Sequence, residues 1–192
     1  MTVRRLAESS AERPPPAAAD PSPRQLVERI IRVDQAGEYG AVRIYQGQRA
    51  VLGRRASCAE TLRHLEEQER QHLATFNRLL GERRVRPTLM QPLWHLVGFA
   101  LGAGTALLGE KAAMACTVAI EEVIDEHYAG QAAQLGDDEV LLRQTVVEYR
   151  ADELAHRDIG LAAGAERAPG YAMLTGAIKT GSRLAIWLSE RL

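Results

Sequence analysis

The chain is predicted to be an all-α bundle, and three observations carry that expectation. Hydrophobic residues make up 46% of its 192 residues and aromatics only 5%, with much Ala, Leu and Arg, which suits helices packed through aliphatic side chains. Long runs place apolar residues in alternating steps of three and four, the helical period. A Glu-x-x-His pair occurs twice, as Glu69/His72 and Glu153/His156, each inside such a run. Each pair follows a lone glutamate in a separate run: Glu38 lies 31 residues before Glu69, and Glu121 lies 32 before Glu153. The pattern is one device in two copies, a helix with Glu and then a helix with Glu-x-x-His.

The length suits one domain with a sizeable core. A formal net charge of −1 gives no reason to expect a nucleic-acid partner. Two cysteines, Cys58 and Cys116, do not make a disulfide framework and point to a reducing compartment. No run reaches the ~20 apolar residues of a membrane-spanning helix; the nearest is Leu93–Leu108.

Residues 1–23 hold five of the eight prolines and read as a disordered tail, leaving residues 24–192 as the domain. Glu8, Glu12 and Asp20 argue against an organellar presequence, which is poor in acids. The first helix is expected from about Arg24 to Leu52, capped by Ser22 with Pro23 at its first position. Ile30, Asp34, Gly37, Glu38, Ala41, Tyr45 and Gln48 share one face of it. The second is expected from about Ser57 to Glu82, with an inward stripe of Leu62, Leu65, Glu69, His72, Phe76 and Leu79.

Gly81 and Pro87 break the chain before a third helix, about Pro92 to Leu108, apolar nearly all round and rich in glycine. It reads equally as a core helix packed closely through its glycines, or as a surface for membrane or a greasy ligand beside Trp94. The fourth, about Lys111 to Leu135, turns Ala113, Cys116, Thr117, Ile120, Glu121, Ile124 and Tyr128 inward. Tyr128 stands seven residues after Glu121, as Tyr45 stands seven after Glu38. Glu122 is expected to be solvated or salt-bridged, and Cys116 to be a small core residue. The fifth, about Asp138 to Leu161, carries Leu142, Val146, Tyr149, Glu153, His156 and Gly160. Its Asp152 is placed to accept a hydrogen bond from a ligand histidine on a facing helix. Pro169 is expected to open a basic, amphipathic sixth helix running to about Arg191.

A carboxylate buried in an apolar seam without a partner costs several kcal/mol, and a cation offsets that cost. At i, i+3 a glutamate and a histidine share one helix face. Four carboxylates and two imidazoles from four helices, Glu38, Glu69, His72, Glu121, Glu153 and His156, form the ligand inventory of a dinuclear carboxylate site in a ferritin-like bundle. Oxygen ligands with one imidazole per metal suit iron or manganese; zinc takes fewer carboxylates and calcium takes no histidine. Glu69 and Glu153 are candidates to bridge, and Glu38 and Glu121 to be terminal, although spacing alone leaves this open.

The strings Ile31-Arg-Val-Asp-Gln-Ala-Gly-Glu-Tyr-Gly-Ala41 and Arg43-Ile-Tyr45 resemble the opening motif of the demethoxyubiquinone hydroxylases of ubiquinone biosynthesis. Arg84-Val-Arg-Pro-Thr88, Pro92-Leu-Trp94, Gly98-Phe-Ala-Leu-Gly-Ala-Gly-Thr-Ala-Leu-Leu-Gly109, Met114-Ala-Cys-Thr-Val118, Asp158-Ile-Gly160 and Leu188-Ser-Glu-Arg-Leu192 are similar to that family too, so the likeness covers about Gln25 to Leu192.

The resemblance implies a monooxygenase with two iron ions per chain and O2 as co-substrate. NADH or reduced quinone is the implied electron source, and the six residues above are the implied ligands. It also implies that His127 and Tyr128 lie near the site and serve electron delivery. The implied substrate is a polyprenyl benzoquinol, and the implied setting is a membrane surface. The expected location is the cytoplasmic face of a bacterial cell membrane, with the matrix side of the mitochondrial inner membrane as the alternative. Other ubiquinone-biosynthesis proteins and a second copy of the chain are the further partners considered. The rival readings are a ferritin-type protein that oxidises and stores iron, and a non-catalytic quinone-binding subunit.

Overall fold

Six helices account for nearly all of the computed structural model, which describes residues 21–54 and 56–192. The tail expected over residues 1–23 lies, as far as residue 20, outside the described residues. The helices are α1 Pro23–Leu52, α2 Ala59–Arg83, α3 Gln91–Leu107, α4 Glu110–Gln134, α5 Val140–Ala162 and α6 Tyr171–Arg191, and there is no strand among the described residues. The fold class is therefore the expected one.

Ser22 caps α1 as its sequence predicts. The Gln25 amide donates to its hydroxyl at 3.3 Å, the Ser22 amide donates to the Gln25 side chain at 2.9 Å, and Pro23 opens the helix. Three starts differ from expectation for local reasons. α2 begins at Ala59 because Ser57 and Cys58 form a turn, in which the Ser57 amide donates to the Glu110 carboxylate at 3.2 Å. A 3-10 turn over Asp137–Glu139 precedes α5. α6 begins at Tyr171 rather than Pro169, after Gly170 turns the chain at φ 65°.

The side-chain contacts fix the register. α1 and α2 are antiparallel, with Arg49 beside Glu66 and Gln35 bonded to Asn77 at 3.1 Å. α2 and α5 are antiparallel through His72–Asp152, Gln68–His156 and Thr75–Tyr149. α1 and α4 are antiparallel through Tyr45–Glu121 and Glu38–Tyr128. These four helices enclose the core.

α3 runs parallel to α1, with Gly98 against Gly40 and Gly102 against Ile44. α6 runs parallel to α4, with Lys179 paired to Glu122 and Arg183 paired to Glu126. The internal duplication thus extends to a covering helix in each half, which the helix–turn–helix repeat in the sequence did not include.

The apolar third helix packs through its glycines on one face and is exposed on the other. Its glycine face is tight: a Cβ at Gly102 would collide with the Ile44 carbonyl oxygen, and one at α1's Gly47 would collide with the Phe99 carbonyl oxygen. Its other face leaves Leu93, Leu96 and Val97 exposed, Leu96 at 67%. α6 exposes Met173, Leu184 and Trp187 while burying Thr175, Ile178 and Ser189. The Trp94 indole donates to Ser189 at 2.9 Å and ties the two covering helices together. No helix among the described residues is long and apolar enough to cross a membrane.

Candidate metal centre

All six residues singled out by spacing meet in the middle of the four-helix core, and each is 4% exposed or less. Their ligand atoms form two overlapping groups, Glu38–Glu69–His72–Glu153 and Glu69–Glu121–Glu153–His156, within each of which the atoms lie no more than 4.8 Å apart. Glu69 and Glu153 belong to both groups. Glu38 and Glu121 belong to one each.

The two imidazoles turn Nδ1 inward. His156 Nδ1 lies 3.0 Å from Glu69 and 3.3 Å from Glu153, and His72 Nδ1 lies 3.3 Å from Glu153 and 3.6 Å from Glu38. Each Nε2 points outward to an acceptor: His72 to Asp152 at 3.1 Å and His156 to Gln68 at 3.1 Å. Those contacts place a hydrogen on Nε2, so Nδ1 is the nitrogen that can face a metal once it gives up any proton of its own. Tyr149 stacks on His72 with ring centroids 3.9 Å apart, and its hydroxyl donates to Thr75 at 2.7 Å.

The inward atoms test whether a cation fits. Both oxygens of Glu69 and Glu153, one oxygen each of Glu38 and Glu121, and both Nδ1 atoms are buried without a hydrogen-bond partner. Buried polar atoms are ordinarily paired. Eight of the thirteen unpaired buried side-chain atoms among the described residues belong to these six side chains, and all eight are metal-donor types. The second oxygens of the lone glutamates are paired, since Tyr45 donates to Glu121 at 2.7 Å and Tyr128 donates to Glu38. The residues present fit two cations.

Crowding explains the electrostatics of the metal-free centre. Burial, then the neighbouring carboxylates, holds Glu69 and Glu121 well above the usual carboxylate range, and burial raises Glu153 against the pull of His72. Burial acts to lower His72, but the Glu153 and Glu38 carboxylates outweigh it and push the imidazole up to about 11. Burial lowers His156. The Tyr45 and Tyr128 phenols are pushed well up by burial and then by the carboxylates they serve, so they remain donors.

His127 is not among the converging atoms. It is half-buried on α4, where the Gln131 amide divides its hydrogens between His127 Nε2 at 2.8 Å and Asp34 at 2.6 Å. Tyr128, its neighbour, does reach the centre through Glu38. Glu122 is salt-bridged to Lys179, and Cys116 is a core residue. Gly37 turns away from the centre and lines an apolar cavity instead. Two residues escaped sequence reasoning. Gln68 stands 84 residues before Asp152, the offset that relates the ligand pairs, so the repeat itself was the signal for it. Glu66 is buried between Arg49 and Arg70 on the α1–α2 face, and nothing in its spacing separates it from Glu67.

The cavity has a volume of about 470 Å³ and lies between α1, α3, α4 and α6. Ala41, Gly98, Ile120, Ile178, Gly181 and Ala185 are among its lining residues. Ile120 adjoins Glu121 in sequence, and Gly37 adjoins Glu38, so the cavity backs directly onto the two lone-glutamate helices.

Comparison with known proteins places the chain in a family. The family model described as "Ubiquinone biosynthesis protein COQ7" matches residues 25–189. A Rhodospirillum rubrum protein named 3-demethoxyubiquinol 3-hydroxylase is 64% identical over 173 residues, covering 90% of this chain and 82% of its own. A human protein named NADPH-dependent 3-demethoxyubiquinone 3-hydroxylase, mitochondrial, is 54% identical over 88% of this chain and 79% of its own. A Saccharomyces cerevisiae protein named 5-demethoxyubiquinone hydroxylase, mitochondrial, is 44% identical over 87% and 78%. Matched over most of its length by the family model and by these relatives, the chain belongs to the COQ7 family of ubiquinone biosynthesis proteins.

Proposed function

We propose that this protein is a two-iron monooxygenase that hydroxylates the ring of a demethoxyubiquinol, a 2-polyprenyl-3-methyl-6-methoxy-1,4-benzoquinol, in ubiquinone biosynthesis. The observation that carries the reading is the convergence of unpaired, buried carboxylate and imidazole atoms beside an apolar cavity. The names of the relatives supply the reaction class and the quinone.

Glu38, Glu69, His72, Glu153 would hold one ion and Glu69, Glu121, Glu153, His156 the other. Iron held there in its reduced form would supply the two electrons that, with two protons, would let one oxygen atom of O2 enter a ring C–H bond and the other leave as water. The chain's own residues do the rest. Tyr45 and Tyr128 fix the lone glutamates Glu121 and Glu38, Asp152 and Gln68 fix the histidine tautomers, and the apolar walls keep water from the reacting ring.

The cavity holds the quinol, with its polyprenyl tail leaving between α3 and α6. The exposed Leu93, Leu96, Leu184 and Trp187 of those helices rest on the membrane that supplies it, at the cytoplasmic face in a bacterium. Electrons come from a reduced nicotinamide or from the quinol, entering near His127 and Tyr128. The human relative's name specifies NADPH for that protein.

The test is the quinone profile of cells lacking the gene. Accumulation of a quinone short of one methoxy group, corrected by wild type but not by Glu153→Ala, is the expected result. A normal ubiquinone pool in cells with no second such enzyme would overturn the reading.

A further inference from the structure

The internal two-fold relation is close at the centre and fails at two pairs of positions around the histidines. Glu38 corresponds to Glu121 and Tyr45 to Tyr128 at an offset of 83 residues, and Glu69 corresponds to Glu153 and His72 to His156 at 84. The phenol-to-carboxylate contacts are reciprocal, so they do not distinguish the halves. The contacts behind the histidines do. His72 Nε2 meets Asp152, a carboxylate, whereas His156 Nε2 meets Gln68, a neutral amide oxygen, both at 3.1 Å. Asp152 and Gln68 are themselves equivalent positions, 84 residues apart. The imidazole faces differ as well: Tyr149 stacks on His72, while the residue equivalent to Tyr149 is Leu65.

An imidazole N–H donated to a carboxylate gains electron density that it passes to its other nitrogen, and the gain is smaller when the acceptor is a neutral amide. His72 Nδ1 is therefore the stronger donor of the two. From this asymmetry we infer that the two metal positions are inequivalent, the His72 position binding its ion more tightly and filling first, with Asp152 and Gln68 as the positioning residues that set the order. The inference rests on the two-iron reading and adds an order of occupancy to it.

The test titrates metal-free, full-length protein with iron-57(II) under anaerobic conditions, reading the binding isotherm and the Mössbauer spectrum together. Wild type should bind two ions in separated steps, with the first equivalent giving one quadrupole doublet. Asp152→Asn should weaken the tighter step by about 10- to 100-fold, the usual effect of removing a contact behind a metal ligand. Its first equivalent should then spread over both positions. Gln68→Glu should strengthen the weaker step and spread the first equivalent without weakening the tighter one. Two ions binding wild type with equal affinity or only as a pair, or a filling order unmoved by either substitution, overturns the inference and leaves the two-iron centre intact. Failure of wild type to bind two ions overturns both.

Discussion

Tyr45 on α1 donates its hydroxyl hydrogen to Glu121 on α4 at 2.7 Å, crossing the bundle rather than serving the glutamate on its own helix. Tyr128 returns the contact to Glu38. The two phenols thus clasp α1 to α4 at the centre and leave each lone glutamate one free oxygen.

Tyr45→Phe removes the donor and leaves a fully buried carboxylate oxygen unpaired. The expected loss is about 1–3 kcal/mol of stability in the metal-free protein, read by urea denaturation. Tyr128→Phe should cost a similar amount at the reciprocal contact. A variant as stable as wild type would show that the clasp contributes nothing.

The glycine seam between α1 and α3 sets a second expectation. Gly102→Ala places a methyl group against the Ile44 backbone, which cannot retreat without moving α1. Overpacking of this kind costs about 1–3 kcal/mol. Gly104→Ala, with nothing near its Cβ, is the control and should leave the melting temperature unchanged or slightly raised. Equal melting temperatures for the two variants would contradict the packing described.

Glu69, Glu121 and Glu153 are held above their unfolded-state range, and His72 is raised to about 11. Groups raised on folding contribute stability that is fully present below their unfolded pKa and is lost as pH rises toward the folded value. The metal-free protein should therefore lose stability as pH rises from about 5.5 to 8.5, a window that lies above the ~4.3 of an unfolded glutamate and spans the ~6.5 of an unfolded histidine. Metal binding expels those protons, so the gap in Tm between loaded and metal-free protein should widen over the same range. Calorimetry at several pH values checks both, and a gap that narrows with rising pH would contradict the assignment.

The cavity can be filled without touching the metal ligands. Gly181 lines it, and nothing lies within 4 Å of a Cβ built there. Gly181→Leu should keep full iron content while raising KM for the quinol. Loss of iron together with activity would mean that cavity and centre are not separable.

Membrane contact has its own readout. Replacing Leu93, Leu96, Leu184 and Trp187 with polar residues should weaken flotation with liposomes. Unchanged flotation would remove α3 and α6 from the membrane surface.

What was legible in the sequence follows from what a helical period can encode. Glu69, His72, Glu153 and His156 sit mid-stripe among apolar residues, so their inward direction could be read from spacing. Asp152 was legible because it adjoins a ligand. The crossed phenols were not: spacing put Tyr45 and Tyr128 on the right faces, but their partners depend on the antiparallel register of α1 and α4, which no local pattern carries. α3 is apolar on every side, and only the contact of Gly98 and Gly102 with α1 distinguishes its buried face from its exposed one. Gln68 has the neutral look of any surface glutamine until the 84-residue offset is applied to Asp152 as well as to the ligands.

The most direct test of the central claim is turnover of purified, iron-loaded protein with a demethoxyubiquinol and a reductant under 18O2, followed by mass spectrometry of the product. The account predicts a hydroxylated quinol carrying one 18O atom, with none formed by Glu153→Ala. A product whose new oxygen comes from water, or full turnover by the iron-free protein, would contradict it.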